Sequence, residues 1–162
     1  DGEELTEPEF NERMNKPTMT TDSHGTKYWH LNGEPHRTDG PAIEYADGHK
    51  EWWLNGEPHR TDGPAIEYAD GAKSWWLNGK LHRTDGPAME CAHGTKGWHL
   101  NGKRHRTDGP AIEYADGTKE WWLDGKELSE SEFNELINKP ENTEPQFITI
   151  NNKKYKLTLM ED

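Results

Sequence analysis

The stretch HRTDGPAIEYADG, His36 to Gly48, decides the fold, because the chain uses it four times. It returns almost letter for letter from His59, His82 and His105, a spacing of 23 residues. The same period carries Trp29, Trp52, Trp75, Trp98 and Trp121, and it carries Leu31, Leu54, Leu77, Leu100 and Leu123. A fixed period of this length indicates a repeat architecture, in which stacked units share one continuous core. The units run 36–58, 59–81, 82–104 and 105–127, preceded by a half unit at 23–35.

Each unit divides into strand and turn signals. Pro-Ala-Ile-Glu-Tyr alternates and is rich in β-formers, so it reads as a strand. Ala-Asp-Gly is a tight turn, and Lys-Glu-Trp-Trp-Leu is the returning strand. The Asn-Gly that follows accepts positive φ at low cost and marks another turn. His-Arg-Thr-Asp-Gly then connects to the next unit. A lone hairpin cannot bury its own face, but stacked hairpins can. The expected fold is an all-β repeat: an elongated antiparallel sheet of stacked 23-residue hairpins, about nine or ten short strands, with short capping helices and a C-terminal hairpin.

Composition agrees only through the repeat. The chain has 162 residues, 29% hydrophobic, with a formal net charge of -12. Such a balance ordinarily signals disorder, yet there are eight Trp and five Tyr. A regular repeat can bury a thin core of large rings and leave the rest wet. The acidic balance argues against direct binding to nucleic acid or to anionic membrane. The single cysteine, Cys91, excludes an internal disulfide framework and fits a reducing compartment. No apolar run is long enough to span a bilayer, and no signal peptide is visible. The chain begins at Asp1 without a Met, so it reads as trimmed or partial.

The ends differ from the repeats. Residues 1–17 and 124–140 resemble each other, with Thr6/Glu9 and Ser129/Glu132 as capping boxes of two short helices. The expected organisation is an N-terminal capping helix and linker at 1–22, repeats at 23–127, a capping helix at 128–140, and a linker with a hairpin at 141–162.

Strand parity sorts the columns. It pairs Trp52 and Leu54 on one face, taken with Ile43 as the packed side. The Trp53/Glu44 side is then the working side. The first Trp of each pair is invariant within the chain, while the second reads His30, Trp53, Trp76, His99, Trp122.

The sequence from the Gly-Pro-Ala strand through Asp-Gly to Trp-Trp-Leu-Asn-Gly resembles MORN repeats, which share the period, an Asp-Gly turn and a second aromatic strand. It looks more like the MORN-like variant carrying His-Arg-x-Asp-Gly-Pro-Ala, found in proteins of bacteriophages and large DNA viruses. The likeness covers about 23–127. It implies an elongated hairpin sheet serving as scaffold or binding surface, a phage origin, and a location in the cytoplasm of an infected bacterial host. The usual MORN glycine after the second-strand aromatic is replaced by Trp53, His99 and their equivalents.

Each repeated group has a chemical and a structural reading. His36, His59, His82 and His105 each stand three residues before Asp39, Asp62, Asp85 and Asp108. Equivalent residues lie about 10 Å apart, at two strands per unit, whereas zinc ligands must approach to about 2 Å. No metal and no cofactor is expected, and the Asp is expected to accept backbone N–H groups in an Asx-type turn. Arg37, Arg60, Arg83 and Arg106 are expected to fold back and pair with Glu44, Glu67, Glu90 and Glu113. Four equal copies do not make the asymmetric constellation that catalysis needs, so the chain is not read as an enzyme. The structural columns are therefore Trp29, Trp52, Trp75, Trp98 and Trp121 with the His, Arg and Asp of the connectors.

The column His30, Trp53, Trp76, His99, Trp122 has two readings: a protein-binding strip flanked by Glu44, Glu67, Glu90 and Glu113, or a second thin core under the connectors. The expected function is protein binding, as an inhibitor of a host or defence protein or as a scaffold. The alternative is nucleic-acid mimicry by the Glu columns with Asp47, Asp70 and Asp116. Self-association through the sheet edge or the end helices is also compatible with this reading.

Overall fold

The structure, a computed structural model, describes residues 16–138, Thr6 and Glu7, and the strands Phe147–Ile150 and Lys153–Lys156. The helix expected over 1–17 falls almost wholly outside the described residues, as does the linker at 141–146.

One open antiparallel sheet runs the length of the repeats. Its order is Thr18–Thr21, Lys27–Leu31, Ile43–Glu44, Lys50–Glu51, Ile66–Glu67, Lys73–Ser74, Met89–Glu90, Lys96–Gly97, Ile112–Glu113, Lys119–Leu123, Lys126–Leu128, with Glu34–Pro35 paired beside the second strand. Thr18–Thr21 thus forms an edge strand where the sequence reading had only linker.

Each unit contributes two hairpins rather than one. The first joins Ile43–Glu44 to Lys50–Glu51 within the large sheet. The second joins Trp53–Leu54 to Glu57–Pro58 through Asn55 and Gly56, both at positive φ (49° and 74°), the type I′ geometry that suits a two-residue hairpin. Part of the expected connector is therefore strand. Successive second hairpins are stitched by backbone bonds, such as Gly56 N–H to Pro35 O at 3.0 Å and Arg37 N–H to Trp53 O at 3.1 Å. Trp52 sits at the joint, and its N–H donates to Ala65 O at 2.8 Å.

The first hairpin sets the faces, and it corrects the parity reading. Its loop is three residues, Ala46-Asp47-Gly48, closed by Tyr45 N–H to His49 O at 2.9 Å, with Gly48 at φ 95°. Ile43 therefore stands opposite Glu51, not opposite Trp52. A two-residue Asp-Gly loop would have placed Ile43 across from Trp52, and one residue of register reverses every side chain. One face carries Ile43, Glu51, Trp53 and their equivalents, and the other carries Ala42, Glu44, Trp52 and Leu54.

The buried core is slight. Ala42, Ala65, Ala88 and Ala111 are fully buried beneath the connectors, and Ile43, Ile66 and Ile112 are buried on the opposite face. The indoles are half-buried. At the far end the helix Glu130–Ile137 packs against Lys119–Leu123 and buries Phe133. Ser129 caps it, accepting from Glu132 N–H while Glu132 accepts from Ser129 N–H at 2.8 Å. The strands Phe147–Ile150 and Lys153–Lys156 pair with each other as a separate hairpin.

Candidate functional site

Built upward from the connector, the first feature is a sandwich. The guanidinium of Arg37 lies 4.0 Å from the Trp29 ring centroid, and Arg60, Arg83 and Arg106 lie likewise over Trp52, Trp75 and Trp98. The opposite side of each guanidinium meets a glycine. A Cβ on Gly40 would fall 2.9 Å from Arg37 Cζ, and one on Gly63 would fall 3.0 Å from Arg60 Cζ. These glycines have no positive φ, so close approach, not backbone freedom, accounts for them.

Hydrogen bonds fix the guanidinium in that slot. Arg37 Nε–H donates to Asp39 Oδ1 at 2.8 Å, and Nη1 donates to Pro41 O at 3.2 Å and to Glu44 Oε1 at 3.3 Å. Arg60, Arg83 and Arg106 repeat the pattern with Glu67, Glu90 and Glu113. The expected Arg–Glu ladder is present. The Asp role differs from expectation. Asp39, Asp62, Asp85 and Asp108 clamp the Arg Nε instead of a backbone turn, and that contact holds their carboxyls below the ordinary value. The Asx-turn role belongs to Asp47, Asp70 and Asp116, whose Oδ1 accepts the N–H two residues on.

The connector histidines join neighbours. His36, which follows one Asn-Gly hairpin, has its Nδ1 2.9 Å from Asn55 Oδ1 and 3.1 Å from Asn55 N, in the turn of the next such hairpin. His59 and His82 do the same to Asn78 and Asn101, and His105 meets Asp124 Oδ1 at 2.9 Å. His and Asp of one unit are thus committed to different partners. Among the described residues no group of three or more His, Cys, Asp and Glu is arranged to hold a metal ion.

The second Trp column lies on the other face. Glu44, Glu67, Glu90 and Glu113 do not accompany it, contrary to the parity reading; they lie with the Arg–Trp sandwiches. What accompanies it explains why Trp alternates with His. Trp53 Nε1–H donates to Glu51 Oε2 at 2.7 Å, Trp76 to Ser74 Oγ at 2.7 Å, and Trp122 to Glu120 Oε2 at 2.9 Å. Where the residue two before supplies no such acceptor, His replaces Trp. Tyr28 stacks on His30 at 5.9 Å, and Gly97 precedes His99. An indole N–H left unpartnered in a half-buried site costs free energy, and the pairing avoids it. Two columns read together, Tyr28/Glu51/Ser74/Gly97/Glu120 beside His30/Trp53/Trp76/His99/Trp122, contain this rule in the sequence itself.

His99 is the buried member. Its Nδ1 has no partner, and burial pushes its imidazole below the ordinary value; a Gly97 backbone contact opposes this and Arg104 adds to it. Arg104 itself lies 4.7 Å over Trp122 and donates to Glu120 Oε2 at 3.0 Å.

The aromatic face is uneven. In the first two units Tyr45 stacks on His49 at 4.5 Å between ring centroids, and Tyr68 lies tilted against His49 at 4.8 Å. Where the second unit meets the third, Cys91 stands where the other full units have Tyr, Ser74 where the first and last have Glu, and Leu81 where Pro35 and Pro58 stand earlier. The smaller side chains of Ser74 and Cys91 leave a hollow of about 320 Å³ lined by Tyr68, Ser74, Trp76, Leu81, Met89 and Cys91. Tyr68 is 43% exposed at its edge. The significance of Cys91 appears only with the fold, which places it beside Trp76 and Leu81.

Compared with known proteins, the chain matches no family model and no curated sequence. Among the described residues no helix is long and apolar enough to cross a membrane.

Proposed function

We propose that the chain is a non-enzymatic protein-binding repeat module whose docking point is the hollow beside Trp76. The observation that supports this is the coincidence of three departures from the repeat, at Ser74, Leu81 and Cys91, around one aromatic pocket. Apolar hollows with an aromatic wall accept the anchor side chains that dominate protein interfaces. The Trp53 and Trp76 rings extend the strip on either side of Ser74. With the phage origin implied by the MORN-like resemblance, the partner is a protein of the host cytoplasm, and the module acts as its inhibitor or as a scaffold.

Nucleic-acid mimicry has less support. The glutamate column it requires is ion-paired with arginines at 2.8–3.3 Å rather than standing free for a partner.

The test is Cys91→Tyr. Tyr is the residue of the other three full units at this position, so the fold tolerates it, and it fills the hollow. Proteins captured from host extract by the wild-type chain in high salt should be lost with C91Y while the melt is unchanged. Equal capture by both chains would refute the docking point, and capture abolished by salt alone would favour mimicry.

A further inference from the structure

The second hairpins carry a charged column along their turns. It reads Glu34, Glu57, Lys80, Lys103 and Lys126, the residue after each Asn-Gly or Asp-Gly. All five are exposed. They form one continuous row, because each side chain lies along the turn of the next hairpin. A Cβ on Gly56 would fall 3.1 Å from Glu34 Oε2, one on Gly79 3.3 Å from Glu57 Cδ, and one on Gly102 3.7 Å from Lys80 Cβ. Two strands per unit set the steps of the row at about 10 Å.

Two properties set this row apart. The other columns that are charged in every unit keep one sign and meet the opposite sign within the chain. Lys27 and Lys50 flank Glu44 in the strand register, and later units repeat the arrangement. The connector arginines take the same glutamates and the connector aspartates. The turn row instead changes sign once, between Glu57 and Lys80. Among the described residues, Glu34, Glu57, Lys80 and Lys103 also make no ion pair or hydrogen bond. Lys126 differs, since it shares a hollow at the closing helix with Glu132.

The unpaired order, Glu-Glu-Lys-Lys, is its own complement when turned round. A two-fold axis between Glu57 and Lys80 sets Glu57 against Lys80 of a second copy and Glu34 against Lys103 of that copy. This gives four opposed pairs and no like contact, an isologous arrangement; a parallel one would set like on like. An apolar column runs beside the charges. Leu31, Leu54, Leu77 and Leu100 stand opposite the four charged residues in register and are half-buried, so a second copy would cover them. We propose that two copies of the chain associate antiparallel along this row, about a two-fold axis between Glu57 and Lys80. The row lies on the face opposite the hollow at Trp76 and is independent of it.

Magnitudes make this a reversible dimer. Three steps span about 30 Å, a narrow strip beside the roughly 800 Å² per partner of a standard interface, and exposed ion pairs contribute little each. The net charge of -12 opposes association at low salt. At physiological ionic strength, screening over about 8 Å leaves the contact pairs as the deciding electrostatic interaction.

Sedimentation equilibrium of the whole chain in about 0.15 M salt should show a reversible dimer below about 0.5 mM. E34K/E57K makes the row all lysine, and K80E/K103E makes it all glutamate. Both use residues that other units already carry at this position, so the melts should stay as wild type. Each variant alone should lose dimer affinity by about tenfold or more, and an equimolar mixture of the two should restore it. E34K/E57K/K80E/K103E, which reverses the order, should dimerise with itself and not with wild type. A zero-length carbodiimide cross-linker should join Glu34 to Lys103, which lie about 30 Å apart within one chain and can meet only between copies. A wild-type chain still monomeric at about 0.5 mM, a dimer that either double variant leaves intact, a mixture or a quadruple variant that stays monomeric, or absence of the Glu34–Lys103 cross-link would each overturn the proposal. C91Y should dimerise as wild type does, which separates this result from the fate of the protein-docking reading.

Discussion

Replacing Gly63 by Ala tests whether the arginine sandwich holds the repeats together. On backbone grounds the change should stabilise the chain by about 0.4–1 kcal/mol, because φ at Gly63 is not positive and Ala restricts the unfolded state. The structure reverses the sign. The new Cβ would lie 3.0 Å from Arg60 Cζ and 3.2 Å from Nε. A flexible side-chain tip could ordinarily retreat at little cost. Arg60 cannot, since Trp52 lies 4.0 Å behind it and Asp62, Pro64 and Glu67 hold its nitrogens. Displacing it weakens a cation–π contact of about 1 kcal/mol and at least one charge-assisted bond of about 1.5–3 kcal/mol. Allowing for the backbone gain and for partial exposure, the net loss is about 2 kcal/mol, or roughly 4–8 °C in melting temperature for a chain of this length. Thermal and urea melts of G63A report it. In an Arg60→Gln background the same glycine change should be neutral or stabilising. If G63A raises the melting temperature of the wild-type chain as it does in the R60Q background, the sandwich is not a stabilising element and the reasoning fails.

Three further outcomes follow from the same geometry. His99→Trp alone should destabilise by about 1–3 kcal/mol through an unpartnered indole, and Gly97→Ser together with it should recover at least half of that; a chemical-denaturation double-mutant cycle showing additivity would dismiss the pairing rule. Because burial depresses the His99 imidazole in the folded state, stability is fully present above the unfolded value of 6.5 and declines as pH falls through that value toward the folded one; the melts of His99→Gln should show less of this decline than wild type between neutral and mildly acidic pH. Phe133→Ala, emptying a site 4% exposed, should cost about 3–5 kcal/mol and expose the last unit first, seen as faster amide exchange at Ile112–Leu123 than at Ile43–Leu54.

Much of this architecture is written openly in the chain because turns are local. Asn55-Gly56 and Asp47-Gly48 announce themselves through backbone preference, and the 23-residue period needs no structure to be counted. The Arg37–Glu44 pairing is legible too, since a connector crossing small alanines has few other acceptors within reach. The faces are not, because they hang on one residue of loop length. The three-residue loop Ala46-Asp47-Gly48 sets Ile43 across from Glu51, where a two-residue loop would have set it across from Trp52. Asp39 is missed for a related reason: a local Asx turn and an arginine clamp use the same residue, and only the position of the Trp29 ring decides between them. The hollow is invisible to a search for what every unit shares, since it exists where Ser74, Leu81 and Cys91 break the pattern.

The sandwich has one more consequence. Arg always stands eight residues after its Trp, from Trp29/Arg37 to Trp98/Arg106, but eight residues after Trp121 the chain has Ser129, the cap of the closing helix. Among the described residues, the side-chain contacts that join successive Asn-Gly hairpins, His36 to Asn55 among them, span less than one 23-residue period. Excising 23 residues would therefore remove one rung together with its own fastenings and leave the stopper unchanged. Such a chain is a ruler: its reach can lengthen or shorten by whole graduations of about 10 Å while the shape of each graduation stays as it was.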